Sequence, residues 1–189
     1  MSADDPYVYP GSFVLRNKLN IRDEPRLEDF ERRLAVQRGR QGAPHGDFDL
    51  AHLQAIHRHL FQDIYDWAGE LRIVEISKDG HQFQFRRFIE TGMADVRRRL
   101  GASRFLRGLD LPAFAVGAGE IIGDVNYVHP FRDGNGRTQL QYLLQLAERA
   151  DHPLDLTQLN PAAWLAASSA AHRGDYSPIA AEIARIAAR

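Results

Sequence analysis

Residues 129–137 read His-Pro-Phe-Arg-Asp-Gly-Asn-Gly-Arg, and helical apolar spacing runs up to this stretch and away from it. Before it, Phe114, Ala118, Ile121, Val125 and Val128 step by four and three residues, the mark of a helix with one buried face. Beyond it, Leu140, Leu143, Leu144 and Ala147 mark a second buried helix that ends near Ala150. The nine residues therefore join two helices, and their second half opens the later one. N–H groups at a helix start lack intrahelical partners, and the helix dipole favours anions there. Gly134 and Gly136 let the main chain approach a ligand and adopt positive φ, so successive N–H groups can form an anion-binding concavity.

The same stretch supplies a titratable base (His129), a carboxylate suited to a metal (Asp133), an aromatic that can anchor the loop in the core (Phe131) and a cation (Arg137). Each alone fits a plainer role: a half-buried histidine, a helix cap, a connecting loop. Together, at this spacing, they are the parts needed to move a phosphate-bearing group. A neutral imidazole can take the proton of a hydroxyl as its oxygen attacks phosphorus. Mg²⁺ needs few protein carboxylates, and an arginine fork matches phosphate oxygens.

The rest of the chain reads as a frame for this loop. Leu27, Phe30 and Leu34 repeat at helical spacing, and Asp49 can cap a helix whose stripe is Leu50, Leu53, His57, Leu60, Ile64 and Trp67, with Gly69 ending it. Ile73 to Ser77 is rich in β-branched residues, and Asp79-Gly80 is a hairpin turn signal. We read a small two-stranded hairpin over about 72–85, leaning on helices and leaving an outer edge open. Ile89, Met93, Val96 and Leu100 mark the next helix, and Leu111-Pro112 opens the one that delivers His129. Asn160-Pro161 and Ser177-Pro178 start two final helices, about 160–189. The 189 residues make one all-α (mainly helical) domain carrying one small β-hairpin. There are no cysteines, which excludes disulfides and thiolate chemistry. A net charge of −1 gives no bulk drive toward nucleic acid, and no apolar run reaches the length of a membrane span. With no secretory signal at the start, the expected location is the cytoplasm. His52, His57 and His59 lack metal-site spacing and are read as solvated or core-edge, and Arg97-Arg98-Arg99 as solvated and paired with local acids.

His129, Phe131, Asp133, Gly134, Asn135, Gly136 and Arg137 fall in place on His-x-Phe-x-(Asp/Glu)-Gly-Asn-Gly-Arg-x-x-Arg, so the chain resembles the Fic family (Fic/Doc superfamily). The resemblance implies a Fic-like helical domain with a hairpin flap. It also implies an enzyme: a Mg²⁺-dependent transfer of AMP from ATP onto a Ser, Thr or Tyr hydroxyl of a target protein. In that scheme His129 is the general base and Asp133 bridges the metal to the phosphates. Gly134 and Gly136 then hold phosphate oxygens, Asn135 gives its amide to the α-phosphate, and Arg137 grips the β-phosphate. Ile76, Ser77, Lys78, Asp79 and Gly80 match the flap, which docks an extended target segment by strand addition. One position departs: Leu140 stands where the family carries a second arginine for the outer phosphates. Lys78, Arg86, Arg87 or Arg132 could supply another cation. With Leu140 in that place, the alternative is a second reading, transfer of phosphate or another phosphate-linked group, or else a weakly active or non-catalytic nucleotide-binding interaction module. No clean copy of the family's inhibitory Ser/Thr-x-x-x-Glu-Gly/Asn helix is present, which leaves a small antitoxin protein as a source of inhibition.

Overall fold

A computed structural model describes residues 5–78 and 80–188. Seven α-helices and one hairpin appear among them: α1 (Glu24–Arg40), α2 (Leu50–Phe61), β1 (Ser77–Lys78), β2 (His81–Gln82), α3 (Ile89–Ala102), α4 (Leu111–Val128), α5 (Asn135–Arg149), α6 (Pro161–His172) and α7 (Ser177–Arg185). The caps follow from side-chain chemistry. Asp23, Asp49, Asp110 and Asn160 each accept first-turn N–H groups of α1, α2, α4 and α6. Ser177 is no such cap: Asp175 takes its N–H at 3.1 Å and its hydroxyl at 2.6 Å, and α7 starts without a side-chain cap.

Helix α4 is central and packs against α3, α5, α6 and α7, while α2 joins α1 to α5. A side chain at Gly119 or Gly123 would collide with Ala180 or Tyr176, so α7 can approach α4 only because glycine stands there. Ile179, Ile183 and Ile186 fill the opposite side of that contact, all fully buried.

Three sequence expectations need correction. Helix α2 stops at Phe61 instead of reaching Trp67. The Ile64 carbonyl is taken by the Lys18 N–H at 2.8 Å, so the backbone turns there, although Ile64 and Trp67 remain buried. Phe30, placed on the α1 stripe, is 39% exposed; Leu27, Glu31 and Ala35 form its buried side. The hairpin is shorter than 72–85 suggests, with only Ser77↔Gln82 and Lys78↔His81 paired, and Ile73 lies 61% exposed. Its stem is held by other means, which matter for the site.

Candidate active site

Helix α4 ends at His129, whose N–H closes the last turn on the Val125 carbonyl at 3.1 Å. His129 adopts the left-handed conformation, φ 46° and ψ 63°. That geometry is uncommon for a residue other than glycine, and the surroundings hold it. Here the ring is fixed on two sides. Nδ1 lies 3.0 Å from the Asn126 carbonyl, which can only accept, so Nδ1 carries the proton and Nε2 keeps a free lone pair. Phe83, the buried aromatic following β2, stacks on the ring at 3.7 Å and 19°. Burial, more than any neighbour, lowers the His129 pKa to about 4, and Arg72, His172 and Lys78 push the same way. The imidazole is therefore neutral at pH 7.

The loop beyond it is built from the inside. Phe131 is fully buried and stacks on His57 at 3.9 Å. His57 Nδ1 accepts the Gly69 N–H at 2.8 Å, so Nε2 is the protonated nitrogen and donates to the Asp133 carbonyl at 3.0 Å. The core-edge reading of His57 is thus revised: it is fully buried, with its pKa lowered by burial to about 4, and it carries the loop. His52 and His59 likewise spend ring nitrogens on main-chain groups of Phe48, Pro44 and Arg38. Arg98 and Arg99 pair with Asp95, and Arg99 also with Asp124, as expected of that basic run.

Gly134 sits at φ 78°, and a Cβ there would fall 2.5 Å from the Phe61 ring. Gly136 differs from the expectation: it is helical, and a Cβ there would meet nothing within 4 Å. Helix α5 starts at Asn135 with no side-chain cap, which leaves its first-turn N–H groups without side-chain partners. Asn135 faces inward. It is 3% exposed, its Oδ1 accepts the Phe131 N–H at 3.0 Å and its Nδ2 donates to the Phe131 carbonyl at 2.8 Å. Both polar atoms clasp the loop, so the side chain shapes the cradle, and one of its two amide N–H groups is spent on Phe131.

Beside the α5 start lies a hollow of about 330 Å³, lined by Asp133, Arg137, Arg132, Glu24, Glu28 and Glu31 among others. Its lining does not include His129, which faces the flap side of the loop. The Asp133 carboxylate is about half exposed, and the Arg137 fork pairs with Glu31, a nearly buried α1 residue that also accepts from the Tyr65 hydroxyl. Arg137 lies over the Phe61 ring at 4.8 Å. Of the four cations named as substitutes for the missing arginine, Arg132 alone lines the hollow, and it is paired to Asp5 at 2.8 Å. Leu140 packs half-buried against the core, outside the lining.

Sequence reasoning missed Arg72. Its guanidinium is buried and donates to the His129 carbonyl (2.8 Å), the Val74 carbonyl (2.9 Å), Glu75 (3.2 Å) and the Gln84 carbonyl. One side chain thus ties both legs of the hairpin to the turn at His129. The Gln84 N–H adds a bond to the Tyr127 carbonyl at 3.0 Å. Glu31, Tyr65 and Phe83 were missed as well; only Phe83, an apolar residue in a polar segment, left any trace in the sequence. Ser77, Lys78 and Gly80 are exposed at the flap, with Gly80 at φ 79°, and Ile76 is half-buried. Asp79 lies outside the described residues.

Fold and site together define a helical domain in which a histidine-ended helix, an uncapped glycine-opened helix and a short flap meet. The Fic/DOC family profile matches residues 47–147. The chain is 42% identical over 186 residues to the probable protein adenylyltransferase y4lH of Sinorhizobium fredii, covering 98% of this chain and 97% of that protein. It is 37% identical to protein adenylyltransferase VbhT of Bartonella schoenbuchensis, across 97% of this chain and 39% of VbhT. Among solved structures, an ADP-bound N-terminal Fic domain of a putative cell filamentation protein from Bartonella quintana superposes with a TM-score of 0.89 at 26% identity, covering 99% of this chain and 96% of that one. The AMPPNP-bound BepC protein of Bartonella tribocorum shares the fold at a TM-score of 0.88 and 24% identity, covering 100% of this chain and 99% of its own. The chain belongs to the Fic/DOC family.

Proposed function

We propose that this protein transfers AMP from ATP to a hydroxyl side chain of a target protein. The observation that carries the reading is the His129 tautomer: Nδ1–H is fixed on Asn126 and the Nε2 lone pair stays free, beside a helix start with open N–H groups. Relatives named as protein adenylyltransferases support the reaction class.

In this scheme Nε2 of His129 takes the hydroxyl proton as the target oxygen bonds to the α-phosphorus. The bond to the β-phosphate oxygen breaks on the opposite side and pyrophosphate leaves. A base titrating near 4 is always available but weak, and the negative charge of a docked polyphosphate raises it toward the working pH. N–H groups at the start of α5 hold developing charge without reorganising. Arg137 reaches the phosphate chain once released from Glu31.

Mg²⁺ fits this donor set. Four carboxylates (Glu24, Glu28, Glu31 and Asp133) and two guanidinium groups (Arg132 and Arg137) line the hollow, so a polyphosphate entering it needs a divalent cation to offset repulsion. Asp133, half exposed beside the start of α5, would hold it, and the ion when bound would neutralise phosphate charge. The flap from Ile76 to Gly80 docks the target by adding a strand to an open edge. A small inhibitory protein acting on the same hollow is a partner consistent with the absence of an inhibitory helix motif in this sequence.

Purified protein incubated with Mg²⁺, labelled ATP and cell lysate tests the reading. Label should pass to protein, and intact mass should show added AMP. His129→Ala should lower transfer by at least about a hundredfold while leaving nucleotide binding in place. Unchanged transfer by that variant would overturn the role of His129. Added phosphate in place of AMP would favour the second reading, to which Leu140 points by removing the grip on an outer phosphate.

A further inference from the structure

Helix α6 lies far from the loop in sequence, yet it braces the base from two directions. Asn126 Nδ2 donates to the Ser168 carbonyl of α6 at 3.2 Å, and the carbonyl of the same Asn126 fixes His129 Nδ1. One turn beyond Ser168, on the same helix face, stands His172, the last residue of α6. Its ring meets Phe83 edge-on at 5.0 Å and 87°, and Phe83 in turn stacks on His129. His172 also lies against the His81 ring of β2 at 5.7 Å and Tyr127 of α4 at 5.4 Å, and it interacts with the Gln82 main chain. Its Nδ1 is buried with no hydrogen-bond partner, which suits a ring held by its packing.

We propose that His172 is a positioning residue: from the end of α6 it fixes Phe83 over the His129 ring and holds strand β2 at the height where a docked target segment meets the base. A hairpin with two pairs cannot hold its own height. Arg72 secures the legs of the hairpin, whereas His172 is the contact nearer its tip, at His81 and Gln82. Burial and the neighbouring His81 hold the His172 pKa below the ordinary histidine range, so at pH 7 it acts as a neutral aromatic wall. The proposal rests on the transfer reading above, with His129 as the base.

The test compares His172→Ala and His172→Phe in the full chain. His172→Ala should raise KM for the protein target and lower kcat, about three- to tenfold combined, with KM for ATP unchanged. His172→Phe restores a ring against Phe83 and should recover most of kcat. Histidine ring NMR supplies a readout independent of turnover: His129 ring protons, shifted upfield by Phe83, should move toward ordinary values in His172→Ala and return in His172→Phe. If those shifts are the same in the alanine variant, the proposal is wrong whatever the activity. If they move while wild-type protein shows no transfer, the positioning of His129 stands and the transfer reading fails instead. An equal rise in KM for ATP and for target would also overturn it, since that marks general loosening.

Discussion

Gly134→Ala should damage this protein in two measurable ways, and the structure sets the size of each. The position has φ 78°, where a side chain costs about 1–2 kcal/mol. The added methyl would stand 2.5 Å from Phe61 Cε2, 2.6 Å from its Cζ and 3.1 Å from His57 Nε2. Phe61 and His57 are fully buried, so neither can swing into solvent. Forcing a methyl into such a packed site costs about 1–3 kcal/mol more. The sum is about 2–5 kcal/mol, and for a domain of this size each kcal/mol lowers Tm by about 2–4 °C. A fall of roughly 5–20 °C in a calorimetric or circular-dichroism melt is expected. Transfer should drop too, because His57 holds the Asp133 carbonyl that sets the loop. Gly136→Ala is the control. Its methyl meets nothing within 4 Å and alanine favours the helix, so Tm should hold or rise slightly. On the reading that phosphates lie at the start of α5, the added methyl there should weaken nucleotide binding. If Gly134→Ala melts with wild type, or Gly136→Ala loses as much stability, the account of the loop as a cradle fixed from below is refuted.

Acid should unfold the protein through its buried histidines. Folded His57 titrates at about 4 against an ordinary 6.5, so between those values the unfolded chain binds more protons and stability falls as pH drops. His57 alone should remove about 2 kcal/mol between pH 7 and 5, read as a lower urea midpoint; a flat profile over that range would contradict its burial as a neutral ring. Arg72→Met should free the hairpin legs and strand the carbonyls of His129, Val74 and Gln84, costing at least about 3 kcal/mol; Arg72→Lys should rescue little, because a point charge cannot span three acceptors. Denaturant melts and protease cleavage at 73–85 check it, and wild-type resistance in the methionine variant would rule out the clamp. Leu140→Arg should tighten ATP by about ten- to a hundredfold in calorimetric titration if the leucine weakens the outer phosphate grip. Unchanged affinity would show that this position does not reach the nucleotide.

Much of the frame was legible because it depends on local chemistry. Asp49 and Asn160 mark helix starts, four-three spacing gives the buried face of α4, and nine contiguous residues carry the family pattern of the loop. Phe131 was read as a core anchor and is one. What failed was whatever depends on the partner a residue finds in the folded chain. Lys18 ends α2 early by taking the Ile64 carbonyl. Asn135 turns inward because Phe131 offers it both a donor and an acceptor. Helix α6, read only as a cap-plus-proline start, braces the base through Ser168 and His172.

By itself the sequence determined which chemical groups stand at the loop and that two helices must meet there, since periodicity and capping act over one or two turns. Only the tertiary structure decided the protonation of those groups and their partners. The carbonyl that sets the His129 tautomer is local, three residues back in α4, but the ring is held there by Phe83 from a hairpin that Arg72 secures. Burial lowers both His57 and His129, and Glu31, more than a hundred positions away along the chain, engages Arg137. Desolvation and ion pairing depend on what surrounds a group in space, and no spacing along the chain encodes that.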